Sequence, residues 1–276
     1  MATPQKSISL SLLDGSSERV RPPLKWAGGK RWQVYYIAPY WKSKRYRRLV
    51  EPFCGGLAIA LGLSPELALL NDINPHLINF YRHLKNGFIS NLEAKNEQEF
   101  FYAKRLEFNS LLRRGKGETK QAAELFYYLN RTGFNGLCRF NKSGEFNVPF
   151  GRYKTINYKT DFREYVSAFA NWQFTSVHFD QIELNPHDFV YADPPYDVDF
   201  HHYSKGGFGW DEQERTALWL SKHPGPVILV NQATRRIIEL YRDLNYNLQF
   251  LLAPRRISCT GDRTPANEVL AIRNLP

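Results

Sequence analysis

The four residues Asp193-Pro-Pro-Tyr196 form the most chemically specific motif of the chain, directly after the apolar run 189–192. The exocyclic amino group of a nucleobase is a poor nucleophile, because its lone pair is delocalised into the ring. A carboxylate and a rigid backbone carbonyl that each accept one N–H draw this nitrogen towards tetrahedral geometry. Asp193 and the Pro194 carbonyl are the predicted acceptors, and Tyr196 offers a face on which a flipped base can stack. The competing interpretation is a proline turn with a capping aspartate.

A second motif, Glu51-Pro-Phe-Cys-Gly-Gly56, stands between an apolar run and a predicted helix. Glycines at such a turn let the backbone approach a ligand and aim free amides at it. Asp72 ends the next apolar run, where a carboxylate can accept hydrogen bonds from both ribose hydroxyls. The two features together predict a nucleoside site. Taken singly, the glycines also fit an ordinary tight turn, and Asp72 also fits a helix N-cap before Pro75.

Four blocks of the sequence resemble the GATC-methylating D12 class of DNA adenine-N6 methyltransferases, the Dam and DpnII type. The resemblance covers nearly everything from Pro23 to Asn274. The blocks, in the order of that family, are Lys25-Trp-Ala-Gly-Gly-Lys30, Glu51-Pro-Phe-Cys-Gly-Gly56, Asn130-Arg-Thr-Gly-Phe-Asn-Gly-Leu-Cys-Arg139 with Gly144-Glu-Phe-Asn-Val-Pro-Phe-Gly-Arg-Tyr153, and Asp193-Pro-Pro-Tyr196. The resemblance implies methyl transfer from S-adenosylmethionine to N6 of a flipped adenine in double-stranded DNA, in line and without a covalent intermediate.

Roles of individual residues also follow from the resemblance. Those implied in catalysis are Asp193, Pro194 and Tyr196. Those implied in S-adenosylmethionine binding are Trp26, Lys30, Glu51, Phe53, Gly55, Asp72, Phe179 and Asp193. Those implied in DNA binding are Arg131 and Asn141 at phosphates, Phe134 and Asn135 as a wedge in the duplex, and Arg139, Pro149 and Tyr153 at base edges.

Two positions depart from the pattern of the family. His178-Phe179 stands where an acidic residue often contacts the adenine of the cofactor, which leaves Phe179 as a packing surface. Phe134 stands where a tyrosine is common, which keeps stacking and loses a hydroxyl. Arg139 suits bidentate recognition of guanine, whereas a phosphate contact could equally use Lys142 or Lys154.

The elements that must position these motifs predict an α/β fold. Strand-like and helical segments alternate at both ends of the chain, and long helical periodicities fill its middle. With the resemblance, this predicts a Rossmann-like S-adenosylmethionine-dependent methyltransferase sheet with an inserted, mostly helical DNA-recognition domain. The expected limits are a flexible tail at 1–20, a first catalytic part at 21–74, an insert at 75–159 and a second catalytic part at 160–276.

The charge of +10 is unevenly distributed. Residues 1–74 carry a net +6, residues 75–159 a net +8 and residues 160–276 a net −4. A basic middle beside an acidic end indicates a segment that faces a polyanion next to a site that uses carboxylates, although a solvated helical face explains the charge alone equally well.

Composition excludes several classes of protein. A chain of 276 residues with 43% hydrophobic residues builds a packed core, which excludes wholesale disorder. Its 3 cysteines supply neither a disulfide framework nor a zinc site, which favours a cytoplasmic location. We expect no membrane span, no secretory signal and a monomer. Adjacent His201 and His202 carry little weight as a metal site, since methyl transfer from a sulfonium needs no metal.

Three alternatives stay open at this point. A cytosine-N4 methyltransferase faces the same amine problem, although Asp rather than Ser before Pro-Pro-Tyr favours adenine. A methyltransferase of structured RNA fits less well, because the third block matches a reader of duplex DNA. A catalytically inactive, sequence-specific DNA-binding protein is disfavoured by the intact Asp193.

Overall fold

Seven strands form one sheet in the computed structural model, which describes residues 20–43, 47–197, 208–254 and 266–275. In chain order the strands are β1 Leu49–Glu51, β2 Ala68–Asn71, β3 Trp172–Thr175, β4 Phe189–Ala192, β5 Val227–Gln232, β6 Asn247–Ala253 and β7 Ala266–Arg273. Their order across the sheet is β3-β2-β1-β4-β5-β7-β6. Strand β7 is antiparallel to β5 and β6, and the other pairings are parallel.

Helices connect and cover these strands. The α-helices of the described residues are α1 Val34–Lys42, α2 Ala58–Leu63, α3 Pro75–Lys85, α4 Gln98–Arg113, α5 Lys120–Thr132, α6 Tyr165–Phe169, α7 Trp210–Ser221 and α8 Arg235–Asp243. The strand order reverses between β1 and β4, and ligands of open α/β sheets bind outside the carboxyl ends of the strands at such a switch point. The motifs that follow β1 and β4 therefore meet at one edge of the sheet.

The elements form where local sequence favours them. Strands β1, β2 and β4 are buried along their whole length, as expected for the apolar runs of a parallel sheet. Helix α3 begins with Pro75 after Asn74, whose side chain accepts hydrogen bonds from the amides of His76 and Leu77. The capping residue is therefore Asn74, and the alternative interpretation of Asp72 as the N-cap is wrong.

Helices α3, α4 and α5 share one hydrophobic core with the sheet. Phe80 of α3 stacks on Tyr127 of α5 with 5.3 Å between ring centroids, and Tyr81 packs against Phe174 of β3 at 5.6 Å. Leu49 of β1 belongs to the same buried cluster. Because α3 contacts both the sheet and the helices that follow, the limits of the recognition insert at 75 and 159 stay predictions.

Residues 141–144 form a tight turn, and Phe140 and Phe146 on either side of it form an antiparallel β-bridge. Among the described residues, none of the helices has the length and hydrophobicity that a membrane span requires. Residues 1–19 of the expected tail, the His201-His202 pair and Cys259 lie outside the described residues.

Candidate active site

The turn after β1 is built around a close approach of backbone to side chain. Gly55 has a φ of +42°, and a Cβ at this position would lie 2.7 Å from the Trp26 indole nitrogen. A Cβ on Gly56 would lie equally close to the Cβ of Trp26. Two hydrogen bonds hold Gly55 itself: its amide donates to Asp72 Oδ2 at 3.1 Å, and the Tyr81 hydroxyl donates to its carbonyl at 2.6 Å. The glycines are therefore required by the packing of Trp26 on the turn.

Asp72 holds two loops and is partly exposed. Its second oxygen, Oδ1, accepts the amide of Asn74 at 3.0 Å. Desolvation of the carboxyl raises the pKa of Asp72 to about 6, against the opposing effect of the Asn74 and Gly55 amides. The geometry thus places one carboxylate between the turn after β1 and the start of α3.

Asn71, which the sequence analysis did not assign to the site, joins three loops beside Asp72. Its side-chain nitrogen donates to the carbonyls of Pro52 and Val177 at 3.0 Å each, and its oxygen accepts the Thr175 hydroxyl at 2.9 Å. Its only sequence signal is a polar residue at the end of an apolar strand.

Asp193 follows β4 and faces Lys30. The Lys30 Nζ lies 3.2 Å from Asp193 Oδ2, and Asp193 Oδ1 is buried without a hydrogen-bond partner among the described residues. Burial raises the pKa of Asp193, whereas the Lys30 ammonium opposes this shift. Lys30 also lies over the Tyr196 ring, 4.4 Å from its centroid.

Two further polar atoms of this edge are buried and have no hydrogen bond to the described residues, namely the Tyr196 hydroxyl and Glu51 Oε1. Burial raises the pKa of Glu51 well above its usual value; the Ala60 amide opposes that shift, and the charge of Asp193 adds to it. Buried polar atoms are normally hydrogen-bonded. Together with Asp193 Oδ1, they mark a place for a ligand that forms hydrogen bonds, which fits the ammonium of S-adenosylmethionine and an exocyclic amine.

An aromatic cluster lies beside the turn. Phe53 packs against Phe179 and Phe208, with 5.5 Å between centroids in each pair. Phe179 is almost fully buried. His178 packs against Phe179, and its two ring nitrogens lie 2.6 Å from Asp180 Oδ1 and 3.0 Å from Glu212 Oε2. His178 is thus engaged with two carboxylates at the rim of the predicted adenine pocket.

The loop that carries Asp193 is held by hydrogen bonds and an ion pair to residues of α7, β5 and α8, which were not predicted as site residues. Gln213 of α7 donates to the Pro195 carbonyl at 2.7 Å. The Asp197 amide donates to Asn231 Oδ1 at 3.2 Å, and the Asp197 carboxylate pairs with Arg236. Helices α7 and α8 and strand β5 therefore hold the loop at Pro195 and Asp197.

The predicted wedge and two predicted base readers lie together. The Phe134 amide donates to the Pro149 carbonyl at 2.9 Å, and the Tyr153 hydroxyl donates to the Gly133 carbonyl at 3.0 Å. Phe134 is 42% exposed and available to a partner. Neighbouring Asn135 has a φ of 51° and is partly exposed. The Lys25 ammonium lies 3.4 Å from the centroid of the Tyr153 ring.

The remaining predicted DNA contacts all have intramolecular partners. Arg139 is exposed, and its Nε and Nη2 donate to the side chain and carbonyl of Asn147 at 2.8 and 3.2 Å. Asn141 Oδ1 accepts the amides of Ser143 and Glu145, so this side chain shapes its own turn. Arg131 donates through Nε to the Asn157 carbonyl at 2.7 Å.

Comparison with known proteins decides which chemistry this edge serves. A family model described as D12 class N6 adenine-specific DNA methyltransferase matches residues 26–251. The chain belongs to this family. The methyltransferase is 35% identical over 263 residues to the retron Ec67 DNA adenine methylase of Escherichia coli, covering 90% of each chain.

Two other relatives have names of the same kind. The DNA adenine methylase of Haemophilus influenzae is 37% identical over 214 residues, with 71% of this chain and 73% of that protein covered. The type II methyltransferase M1.LlaDCHI of Lactococcus lactis subsp. cremoris is 33% identical, with coverages of 86% and 89%. Among solved structures, a putative RNA methyltransferase of Pyrococcus horikoshii has a TM-score of 0.39 at 7% identity and covers 89% of this chain and 83% of that chain.

The predicted family, the Rossmann-like methyltransferase fold, the adenine-specific activity on DNA and the use of S-adenosylmethionine are thereby confirmed. The roles assigned to individual residues stay predictions.

Proposed function

We propose that the methyltransferase flips an adenine out of double-stranded GATC and methylates its N6 with Asp193, the Pro194 carbonyl and Tyr196 around the amino group. The observation that carries this proposal is the asymmetry of Asp193, whose Oδ2 faces Lys30 and whose buried Oδ1 has no partner among the described residues. A carboxylate oxygen of this kind is available to accept an N–H of a base. The likeness of the block 130–153 to GATC-methylating enzymes supports the recognition sequence.

The residues at the end of β1 suit the cofactor. When bound, S-adenosylmethionine supplies an electrophilic methyl group on a sulfonium. We assign Glu51 Oε1 to its ammonium, Asp72 to its ribose hydroxyls, and Phe53 with Phe179 to its adenine. Trp26 and Gly55 shape the turn between these groups, and Lys30 holds Asp193. Burial raises the pKa values of both Glu51 and Asp193, so a ligand that carries positive charge or donates hydrogen bonds to these carboxyls stabilises their ionised forms.

Asp193 acts on the target amine. Its Oδ1 accepts one N6–H and the Pro194 carbonyl accepts the other, so that the N6 lone pair leaves conjugation and points at the methyl group. N6 would form the new C–N bond with this pair as the bond between the methyl carbon and the sulfonium sulfur breaks, the sulfur keeping the electron pair of that bond and leaving as the thioether of S-adenosylhomocysteine; the excess proton leaves N6 towards Asp193 Oδ1. Lys30 keeps Asp193 ionised before this step, because its positive charge opposes the rise of the Asp193 pKa that burial causes.

The surface around Phe134 suits the duplex. Phe134 and Asn135 would fill the space that the flipped adenine leaves, Arg139, Pro149 and Tyr153 would read base edges, and Arg131 and Asn141 would contact phosphates. Because all these groups come from one chain, a monomer is sufficient. A cytoplasmic location, where bacterial DNA lies, belongs to the same proposal.

The test is the identity of the product. Purified protein is incubated with S-adenosylmethionine and duplexes that contain GATC or one of its single-base variants, and the nucleosides are analysed by mass spectrometry. We expect N6-methyladenine from GATC only. The fluorescence of 2-aminopurine at the target position should rise on binding, because flipping unstacks the base. Methylation of all variants at one rate would refute the recognition sequence, and unchanged fluorescence would refute flipping.

A further inference from the structure

A buried polar network of Gln33, Tyr191 and Glu268 lies next to Lys30. Glu268 of β7 is 7% exposed and Gln33, which precedes α1, is 0% exposed. Gln33 Nε2 donates to Glu268 Oε2 at 2.6 Å, and the Tyr191 hydroxyl donates to Gln33 Oε1 at 2.8 Å. The other oxygen of Glu268 lies 3.9 Å from Lys30 Nζ.

Lys30 therefore stands between two carboxylates, with Asp193 Oδ2 at 3.2 Å on the other side. The two distances differ by less than an ångström, and Lys30 Nζ also donates to the Gly28 carbonyl at 2.9 Å, so the ammonium lies among three oxygen acceptors and needs no large movement to change its nearer carboxylate. Gln33 is held at both ends, and it fixes the Glu268 carboxylate in the orientation that faces Lys30. Tyr191 lies two residues before Asp193 on β4, so the network joins both sides of the ammonium.

The negative charge of Glu268 calls for an explanation. Burial of the Glu268 carboxylate costs desolvation free energy. A glutamine at this position would accept the hydrogen bond of Gln33 without that cost. Burial raises the pKa of Glu268; Lys30 opposes that shift and the charge of Asp193 adds to it. The groups that interact with this carboxylate include the Lys30 ammonium, the Tyr196 hydroxyl and Gln33, and of these three the ammonium is the one that a neutral amide could not pair with.

We propose that Glu268 is a positioning residue that shares Lys30 with Asp193 and receives the ammonium when the adenine amino group reaches Asp193. This inference rests on the proposed role of Asp193. In the free enzyme Lys30 keeps Asp193 ionised. When the N6–H groups reach Asp193, Lys30 moves towards Glu268 and pairs with that carboxylate. The Asp193 carboxylate then interacts with the amine rather than with Lys30.

A double-mutant cycle tests the relationship. The variants are Glu268→Gln, Lys30→Met and the pair, and Glu239→Gln is the control, since Glu239 forms an exposed ion pair with Arg235 on α8. Single-turnover methylation of a GATC duplex is measured with saturating cofactor, and cofactor affinity is measured by calorimetry. Thermal unfolding identifies variants that fold poorly, and Gln33→Met then replaces Glu268→Gln, because it frees Glu268 and keeps its charge.

We expect Glu268→Gln to slow single turnover about tenfold and to leave cofactor affinity within about threefold. In the Lys30→Met background the same change should alter the rate less than about twofold, because Glu268 acts through Lys30. The acid limb of the rate should move to lower pH in Glu268→Gln, since Lys30 then pairs with Asp193 alone and lowers the Asp193 pKa. The other ionisable groups that face the pair, Glu51, Tyr191 and Tyr196, are present in every variant.

Equal slowing by Glu268→Gln in both backgrounds, or no slowing in either, would overturn the inference. The proposed function fails by a different result, namely a wild-type enzyme that makes no N6-methyladenine in GATC or an Asp193 variant that keeps turnover. The two failures are therefore distinguishable.

Discussion

Lys25 and Asn130 form a reciprocal pair of hydrogen bonds across 105 positions of sequence. The Lys25 amide donates to Asn130 Oδ1 at 3.0 Å, and Asn130 Nδ2 donates to the Lys25 carbonyl at 2.7 Å. A Cβ on Gly136 would lie 2.3 Å from the Lys25 Cβ, so the two segments are in tight contact. The segment that ends in Lys30 is thus fixed to the segment that carries Phe134.

Asn130→Ala should lower the free energy of unfolding by about 1–2 kcal/mol, because it leaves partly buried backbone groups of Lys25 without the Asn130 side chain as a partner. It should also slow methylation more than it weakens cofactor binding. Urea unfolding and single-turnover rates measure the two effects. Asn247→Ala, at an exposed position of β6, is the control. Unchanged stability of the Asn130 variant would show that the pair contributes no net energy.

Asp193→Ala should reduce turnover by several orders of magnitude and leave duplex affinity within about tenfold, since the carboxylate acts on the amine in the transition state. Asp211→Ala removes an exposed carboxylate from the first turn of α7 and serves as the control. Single-turnover kinetics and fluorescence anisotropy with a labelled GATC duplex give the two quantities. Near-normal turnover of the Asp193 variant would remove this residue from the mechanism.

Cofactor binding should weaken as the pH falls through the pKa of Asp72, which is about 6. Only the ionised carboxyl accepts hydrogen bonds from both ribose hydroxyls, and protonation turns one acceptor into a donor. Because this pKa is raised above its usual 3.8, the loss begins near pH 6 rather than near pH 4. Calorimetry between pH 5 and 8 should show Kd rising by up to about tenfold per unit below the pKa.

Asp72→Asn provides the control for this pH dependence, because an amide oxygen can still accept a backbone amide but does not titrate. Its affinity for the cofactor should be weaker than that of the wild type at pH 8, with a flat profile below pH 6. An unchanged slope in this variant would assign the titration to another group, such as Glu51 or Asp193, whose pKa values are also raised by burial.

Arg139→Ala should cost about 1–3 kcal/mol of discrimination at one base pair of the site, because a bidentate contact to guanine is lost. Asn147→Ala should have a smaller effect in the same direction, since it removes the side-chain acceptor of Arg139 Nε and leaves the backbone carbonyl that accepts Nη2. Lys142→Ala should instead weaken all sequences alike and reduce the salt slope by about one unit. Methylation rates of GATC and its variants at two salt concentrations separate these cases. A uniform loss in the Arg139 variant would make this residue a phosphate contact.

Local motifs made most of the fold and part of the site predictable from sequence. The runs that became β1, β4 and β5 are apolar and short, and the residues Asp193 to Tyr196 are contiguous, so spacing alone located them. Partners far apart in sequence could not be found in this way. Gln33 and Glu268 are separated by 235 positions, and their pairing follows from the position of β7 in the sheet. The only local signal was a carboxylate within an apolar strand.

Side chains that have other partners within the protein were the second reason why part of the site could not be predicted from the sequence. Asn141 is a reasonable phosphate ligand by type, yet its oxygen accepts two amides of its own turn. His178 stands in place of an acid, and the carboxylates of Asp180 and Glu212 lie at its two ring nitrogens. Residue type did not indicate the contact between His178 and Glu212, because it depends on the distance between the loop and α7.

The common core of the sheet and helices α3 to α5 has a consequence for protein engineering. Tyr127 of α5 stacks on Phe80 of α3, and the neighbouring Tyr81 donates its hydroxyl to the cofactor turn at Gly55. A chimera that exchanged only the base-reading segment between two relatives would cut through this packing and through the Lys25–Asn130 pair. To transfer the preference for a DNA sequence from one relative to another therefore requires the exchange of a longer segment. This segment runs from α3 through the turn at 141–144 to Tyr153, and residues 24–30 must be exchanged with it.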